Sequence, residues 1–169
     1  NILLKMRRMY TAQMFEQTAE KIKKAYPEFN LTTDIIVGFP GESDEDFQQT
    51  ADLASRIGFG HIHTFKYSKR SRTRAERMPD QIPEKIKSER SEIIRKISDN
   101  SKLNYRKSFV GKHQRVLVEK ILKNGFATGY GENYFPVIIQ EKGLKKNEFY
   151  TVQLLGIEMK DEPYLTGKI

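Results

Sequence analysis

The sequence has no cysteine and no tryptophan among its 169 residues, and only three of them are histidines. The lack of cysteine excludes disulfides, cysteine nucleophiles, zinc–cysteine sites and iron–sulfur ligands from these residues. Long apolar runs are also absent. None approaches the ~20 residues of a membrane-spanning helix, so no membrane partner is expected. What remains is the composition of a globular protein with room for one or two domains.

Two of the three histidines occupy alternate positions of a predicted strand. His61 and His63 therefore project from one face, where two imidazoles can bind a metal ion. No third ligand is evident nearby in the sequence. Packing or a surface role is the favoured interpretation, and no metal site is predicted.

Positive charge is concentrated in the middle of the chain. Residues 69–108 have 13 Lys+Arg against 6 Asp+Glu, whereas residues 1–68 have 8 against 9 and residues 109–169 have 9 against 7. A concentrated basic stretch is typical of a protein that binds a polyanion, but a solvated surface helix has the same composition. The charge pattern alone leaves both interpretations open.

The first part of the chain predicts an α/β unit. Helical periodicity covers residues 11–26 and 44–57, and β-rich runs cover residues 31–39 and 59–67. The order α-β-α-β indicates parallel strands joined by right-handed crossovers.

Two features lead us to expect that the chain is cut from a longer protein. Two strands cannot close a barrel, so the sheet would have open edges that another part of the protein must cover. The sequence also begins at Asn1 rather than at a methionine. Processing of a precursor is the alternative explanation for that start.

A turn with two glycines and a proline, Gly38-Phe39-Pro40-Gly41, follows the first predicted strand. The carboxyl end of a strand is where α/β folds bind ligands. The next residues start a helix, because Ser43 and Asp46 have the spacing of a capping box. The segment therefore predicts one wall of a ligand site, although the turn alone also accounts for both glycines.

A basic loop over residues 68–83 and a long charged helix over residues 84–108 come next. The helix has few apolar residues, which we interpret as a narrow seam packed on a neighbour. The seam consists of Ile86, Ile93, Ile94 and Ile97.

The remaining residues, from Phe109 onward, predict a small antiparallel β-barrel of the OB-like kind. Five short β-rich runs support it: residues 114–120, 125–130, 134–139, 149–155 and 164–168. Such barrels bind single-stranded nucleic acid through a basic groove with exposed aromatic rings. Phe135 is favoured as a core residue, whereas core and surface positions are equally open for Tyr130 and Tyr134.

Several ordered motifs resemble those of a known enzyme family. They are Met6-Arg7-Arg8-x-Tyr10-Thr11, Asp34-Ile35-Ile36-Val37-Gly38-Phe39-Pro40-Gly41-Glu42, Phe65-x-Tyr67-Ser68-x-Arg70 and Thr73-x-Ala75-x-x-Met78-x-x-Gln81. Together they resemble the C-terminal part of the radical S-adenosylmethionine (SAM) methylthiotransferases, over essentially the whole chain. The resemblance implies part of a radical-SAM-type α/β barrel over residues 1–83, a connecting helix over 84–108, and a TRAM domain, a small RNA-binding β-barrel, over 109–169.

One motif bears on the branch of the family. Gly129-Tyr130-Gly131-Glu132-Asn133-Tyr134 is similar to the Gly-Tyr-Thr-Glu-Asn-Tyr string of members that thiomethylate threonylcarbamoyladenosine in tRNA. Two residues depart from the family pattern: Gly131 replaces a usual threonine, and Arg72 replaces a common glycine. The alternatives are the isopentenyladenosine branch, the ribosomal-protein branch, and a non-catalytic RNA-binding module.

The resemblance also implies cofactors and partners. Family members use S-adenosylmethionine and two 4Fe–4S clusters, one of them held by a CxxxCxxC loop. Since this chain has no cysteine, the cluster ligands are expected in the missing N-terminal part of the same polypeptide. The chain alone is then expected to be inactive, with no catalytic residue of its own. The implied partner is the tRNA anticodon stem-loop, and the implied location is the cytoplasm.

Two sets of site residues follow from the resemblance. The expected cofactor-binding residues border the turn after the first strand, where Ile36 or Phe39 packs on the adenine and the glycines let the backbone approach. This set is Ile36, Gly38, Phe39, Pro40 and Gly41. The expected RNA-binding residues are Arg70, Arg72, Arg74, Arg77, Lys112, Arg115, Tyr130, Asn133 and Tyr134.

Overall fold

A computed structural model describes residues 1–159 and 162–169 of the chain. The chain divides into two compact units, Asn1–Lys102 and Leu103–Ile169. No helix among the residues described is long and apolar enough to cross a membrane.

The first unit is built from helices and two strands, as the periodicity predicts. Its elements are α1 (Ile2–Lys5), α2 (Ala12–Ala25), β1 (Thr32–Val37), α3 (Asp44–Ile57), β2 (His61–Lys66), a 3₁₀ turn (Ala75–Arg77) and most of α4 (Glu84–Lys107). Thr11 caps α2, since its hydroxyl oxygen accepts a hydrogen bond from the Met14 amide at 3.1 Å. The predicted helices and strands of this part are confirmed, with strand ends shorter by one to two residues.

The two strands pair in parallel, from Thr32 opposite His61 to Val37 opposite Lys66. One face of this sheet is buried in a core that also takes apolar side chains from α2, α3 and α4. Val37 and Ile62 belong to this face. The opposite face, which includes Ile36 and Phe65, is exposed. Because side chains alternate along a strand, successive residues of β1 and β2 lie in turn on the buried face and on the exposed face of the sheet.

The apolar seam predicted for α4 is partly wrong. Ile94 is fully buried, but Ile93 is exposed. The face of α4 toward the core includes the polar residues Lys87, Arg90 and Ser98, which are also buried. These positions recur with the 3.6-residue period of a helix, whereas Ile93 points elsewhere. Because these residues are polar, the sequence pattern did not indicate that they are buried.

The second unit is a closed five-stranded β-barrel. Its strands are β3 (His113–Ile121), β4 (Ala127–Gly131), β5 (Pro136–Ile139), β6 (Phe149–Glu158) and β7 (Tyr164–Lys168). They close in the order β3-β4-β5-β7-β6. All neighbours are antiparallel except β5 and β7, which are parallel. The small OB-like barrel is confirmed, with one parallel pair that local patterns did not reveal.

The barrel interior is filled by apolar side chains from every strand. Phe135 lies in this core against Phe109, with ring centroids 5.0 Å apart, as the sequence indicated. The other buried members are Val116, Val118, Ala127, Val137, Ile139, Val152, Leu154 and Leu165. Gly167 packs so closely that an added Cβ would lie 2.5 Å from Val152 Cγ1.

Candidate functional site

The turn after β1 adopts a conformation that favours glycine at two positions. Gly38 and Gly41 have φ angles of +72° and +76°, in the region that L side chains rarely occupy. The Gly38 amide donates to Glu42 Oε2 at 2.7 Å. The Gly41 amide donates to the carbonyl oxygen of Asp80 at 2.9 Å. The turn is therefore fixed by its own backbone donors.

A buried ion pair between Arg90 and Glu42 stabilises this turn. Arg90 Nη1 lies 2.6 Å from Glu42 Oε2, and Arg90 Nη2 lies 2.6 Å from Asp44 Oδ1. The guanidinium also stacks 5.3 Å from the Phe47 ring centroid. Burial raises the pKa of the Glu42 carboxyl above its ordinary value, although the Gly38 amide and Arg90 act in the opposite direction. Sequence reasoning missed Arg90, because nothing in its neighbourhood marks it as buried.

A second buried cation covers the turn. Lys87 packs directly on Gly38, where an added Cβ would lie 2.4 Å from Lys87 Cγ. Lys87 Nζ binds Glu84 Oε1 at 2.8 Å and lies 5.4 Å from the Tyr67 ring centroid. The group that approaches the Gly38 backbone in this structure is thus Lys87. Close approach of a cofactor there stays a prediction.

A cavity of about 750 Å³ runs along β1 and extends to residues that follow β1 and β2. Its walls include the apolar side chains of Ile36, Phe39 and Phe65, together with Asp34 and Tyr67. The buried Tyr67 hydroxyl has no hydrogen-bond partner among the residues described. A mostly apolar site of 300–1,000 Å³ with a few polar groups is typical of small-molecule pockets, so the residues present fit a ligand of nucleoside size.

Only part of the predicted cofactor set lines this cavity. Ile36 and Phe39 do, whereas Gly38, Pro40 and Gly41 belong to the turn that carries Phe39. Asp34 and Phe65 were not assigned to the site from the sequence. Strand alternation would have found them, because both lie on the same sheet face as Ile36.

His61 and His63 lie together with ring centroids 4.4 Å apart. Within residues 1–159 and 162–169, no group of three His, Asp or Glu side chains could hold a metal ion. The chain has no cysteine, so its residues do not fit an iron–sulfur cluster.

The four arginines of the basic loop, Arg70, Arg72, Arg74 and Arg77, are all exposed. The loop itself is ordered by hydrogen bonds. Gln81 Nε2 donates to the carbonyl oxygens of Ala75 and Met78 at 3.0 and 2.9 Å. Arg72 has a φ of +67°, which explains why a glycine suits this position in the resembled family. No described carboxylate forms an ion pair with the four guanidinium groups, which are therefore available to phosphates.

On the barrel, the predicted RNA-binding side chains lie on the outside. Lys112 and Arg115 are exposed, and Asn133 is half-buried. Tyr130 is 45% exposed and Tyr134 is 84% exposed, which settles the choice between core and surface. Their contact with RNA stays a prediction.

The hairpin that carries Tyr134 is tight. The Gly131 amide donates to the Phe135 carbonyl at 3.1 Å, and the Tyr134 amide donates to the Gly131 carbonyl at 2.9 Å. Tyr134 has a φ of +57°. A Cβ at residue 131 would lie 2.9 Å from Phe135 Cε2, so the core ring fills the space that the usual threonine needs.

Comparison with known proteins assigns the start of the chain to a superfamily. Residues 1–54 match the model of the radical SAM superfamily. A threonylcarbamoyladenosine tRNA methylthiotransferase of Thermotoga maritima is 37% identical over 157 residues, covering 93% of this chain and 36% of that protein. The corresponding protein of Bacillus subtilis is 36% identical over 143 residues, covering 82% of the chain and 32% of that protein.

A second kind of relative is similar to the same degree. A tRNA-2-methylthio-N6-dimethylallyladenosine synthase of Lachnoclostridium phytofermentans is 41% identical over 147 residues, covering 86% of the chain and 32% of that protein. The chain thus spans about a third of the length of the curated relatives that it matches.

Proposed function

Because the chain belongs to the radical SAM methylthiotransferase family, we propose that the protein adds a methylthio group to carbon 2 of threonylcarbamoyladenosine beside the anticodon of tRNA. The observation that carries the proposal is the similarity of nearly the whole chain to tRNA methylthiotransferases. The Glu132-Asn133-Tyr134 string favours the threonylcarbamoyladenosine substrate over dimethylallyladenosine. We place this activity in the cytoplasm.

In this proposal the cavity along β1 holds S-adenosylmethionine. Ile36, Phe39 and Phe65 would pack on its adenosine, and the Tyr67 hydroxyl offers a hydrogen bond that the described residues leave unmade. The bound cofactor supplies radical chemistry and a methyl group. Glu42 and Arg90 hold the turn that places Phe39 against it. The residues that ligate two 4Fe–4S clusters would lie outside these 169 residues, and we expect no turnover from the chain alone.

The same proposal gives the exposed cations and aromatic rings a role in holding tRNA. Arg70, Arg72, Arg74 and Arg77 would contact phosphates, which positions the RNA without reading its sequence. On the barrel, Tyr130, Asn133 and Tyr134 would contact the unpaired anticodon loop, because specific RNA recognition favours unstacked bases.

Nucleoside analysis tests the substrate. In tRNA from a strain that lacks the full-length gene, we expect loss of methylthio-threonylcarbamoyladenosine with the unthiolated nucleoside in its place. Loss of the dimethylallyladenosine derivative instead would select the second kind of relative. Unchanged tRNA together with an unmodified ribosomal protein would select the ribosomal-protein branch. No change in either would indicate a non-catalytic RNA-binding module.

The same strain tests the cavity. The full-length gene carrying Ile36→Lys should fail to restore the modification, because the substitution would place a charge in the apolar wall that packs on the adenosine. Ile93→Lys is the matched control, since both isoleucines are similarly exposed in the first unit. Equal restoration by both genes would contradict the assigned pocket.

A further inference from the structure

The outer surface of the barrel carries a row of apolar side chains that crosses four neighbouring strands. In the observed register, Pro136 on β5 lies opposite Tyr130 on β4. Tyr130 lies opposite Leu117 on β3, and Leu117 lies opposite Phe149 on β6. Side chains directly opposite each other on adjacent strands project from the same face. We call Pro136, Tyr130, Leu117 and Phe149 the outer row.

The barrel core does not need these side chains. The strand neighbours of Leu117, Val116 and Val118, are fully buried and fill the interior. The outer row projects away from that interior, and Phe149 is 57% exposed. Single exposed apolar residues are ordinary, but an aligned set with two aromatic rings forms a contiguous patch of the kind that marks a binding surface.

A planar cation lies beside the patch. The Arg115 guanidinium stacks 4.8 Å from the Phe149 ring centroid. No carboxylate of the residues described forms an ion pair with Arg115, so its charge is not neutralised within the unit. Residues 103–169 also carry 11 Lys+Arg against 7 Asp+Glu. An aromatic ring with an unpaired arginine on its face complements a nucleic acid, which offers both base planes and phosphates.

The spacing of the two strands that carry the rings indicates what form of nucleic acid fits. Tyr130 and Phe149 are two strands apart, so their backbones are separated by ~10 Å. Neighbouring bases in a duplex are ~3.4 Å apart. Two bases that remain stacked cannot each cover one ring. The surface therefore suits an unstacked single strand, in which each ring takes a separate base.

We propose that the outer row, with Arg115, is a stacking platform for unpaired bases of RNA, and that Phe149 is one of its two principal rings. The proposal rests on the function proposed above and specifies how the barrel holds a tRNA loop. The sequence predicts RNA contacts at Tyr130 and Arg115 but not at Phe149 or Leu117. Only the strand register brings these residues into one line.

Because the chain has no tryptophan, a single introduced indole reports on this surface. Phe149→Trp is prepared in the full 169-residue chain, and Phe29→Trp serves as the matched control, since Phe29 is 54% exposed in the first unit. Each is titrated with a fluorescently labelled RNA hairpin that has a single-stranded loop, and with a fully paired RNA of the same length. Indole emission reports stacking, and anisotropy of the labelled RNA reports binding.

We expect the hairpin to quench the indole of Phe149→Trp strongly and that of Phe29→Trp weakly, with little quenching of either by the paired RNA. Phe149→Ala and Tyr130→Ala should each weaken hairpin binding by about tenfold, the effect typical of losing one stacked base. Phe149→Tyr should retain the affinity. Arg115→Lys should weaken hairpin binding although it keeps the charge, because an ammonium does not stack.

Two outcomes would overturn the platform. One is RNA binding with equal emission changes for the Phe149→Trp and Phe29→Trp chains and no effect of Phe149→Ala. The other is no binding of the hairpin by the chain at all. Neither outcome decides the enzymatic proposal, which nucleoside analysis of cellular tRNA tests separately.

Discussion

At the scale of single residues, Gly38 is confined by two independent effects. Its φ of +72° disfavours any side chain, and Lys87 occupies the place of a Cβ. Gly58 has a similar φ of +62°, but its nearest neighbour for a Cβ lies at an ordinary 3.8 Å. A comparison of alanine substitutions at the two glycines therefore separates the cost of backbone strain from the cost of steric exclusion.

We expect Gly38→Ala to lower the free energy of unfolding by about 2 kcal/mol or more, against about 1 kcal/mol for Gly58→Ala. Urea unfolding measures both. Adding Lys87→Ala should recover part of the loss at residue 38. Equal losses at the two glycines would mean that Lys87 moves aside at no cost.

The buried carboxyl of Glu42 makes a prediction about pH. Its folded-state pKa lies above the ordinary value of 4.5, because burial disfavours the charged form. The folded chain then binds this proton more tightly than the unfolded chain. The free energy of unfolding therefore falls as pH rises from 4.5 through the folded-state pKa, and recovers on acidification through the same interval.

Glu42→Gln removes this titration. We expect the stability advantage of the parent chain over Glu42→Gln to grow as pH is lowered from neutral toward 4.5, with exposed Glu45→Gln as the control. Urea unfolding at several pH values measures the difference. An advantage that shrinks on acidification would show that attraction to Arg90 outweighs the loss of hydration.

At the scale of elements, α3 begins with the capping box that the sequence predicted. The Asp46 amide donates to Ser43 Oγ at 3.1 Å, and the Ser43 amide donates to Asp46 Oδ2 at 3.1 Å. Burial acts to raise the pKa of Asp46, but the two Ser43 donors, together with the charges of the N-terminus and Lys5, lower the net pKa. This stabilisation is present near neutral pH and is lost as pH falls through the folded-state pKa.

Ser43→Ala should lower the free energy of unfolding by about 1 kcal/mol, because it leaves the Asp46 amide in the first turn of α3 without its side-chain partner. Ser55→Ala is the matched control in the same helix. There the hydroxyl only donates to the Ala51 carbonyl, so the change should stay within about 0.5 kcal/mol. Thermal unfolding followed by helical circular dichroism distinguishes them, and equal effects would contradict the cap.

The hairpin between β4 and β5 has a strained backbone at Tyr134, whose side chain is exposed. Tyr134 has a left-handed backbone, which is costly for a bulky residue. Tyr134→Gly should therefore raise the free energy of unfolding by about 0.5–1 kcal/mol while weakening binding of single-stranded RNA. Tyr134→Phe, which keeps both ring and strain, should change neither by much. A less stable glycine variant would refute the strain.

At the scale of the whole molecule, the excess positive charge makes a prediction about salt. Arg70→Glu with Arg74→Glu should weaken tRNA binding and reduce the slope of log affinity against log salt by about 1.5, since each phosphate contact contributes ~0.7–0.9. Lys85→Glu with Arg95→Glu on α4 gives the same change in net charge elsewhere. If both pairs reduce the slope equally, the basic loop acts only through net charge.

Much of the chain follows from signals that span a few residues. The Ser43–Asp46 cap, the end of α2 before Pro27 and the glycine turn after β1 each depend on neighbours in sequence. The isoleucines of α4 show the limit of such signals. Local periodicity assigns Ile93 to an apolar seam, but it is exposed, while Arg90 has the charge of a surface residue and is buried by a partner 48 residues away.

Sequence patterns were enough to predict the order of the main helices and strands, the glycine turn after β1, the family and the basic loop. These depend on local backbone preference, on periodicity and on residue identity, which a single chain displays directly. Three features become visible only in the folded structure: which polar residues are buried, the parallel pairing of β5 with β7, and the alignment of Phe149 with Tyr130. These features depend on packing and strand register between segments that are distant in sequence. The free energy of such contacts cannot be read from a local sequence pattern.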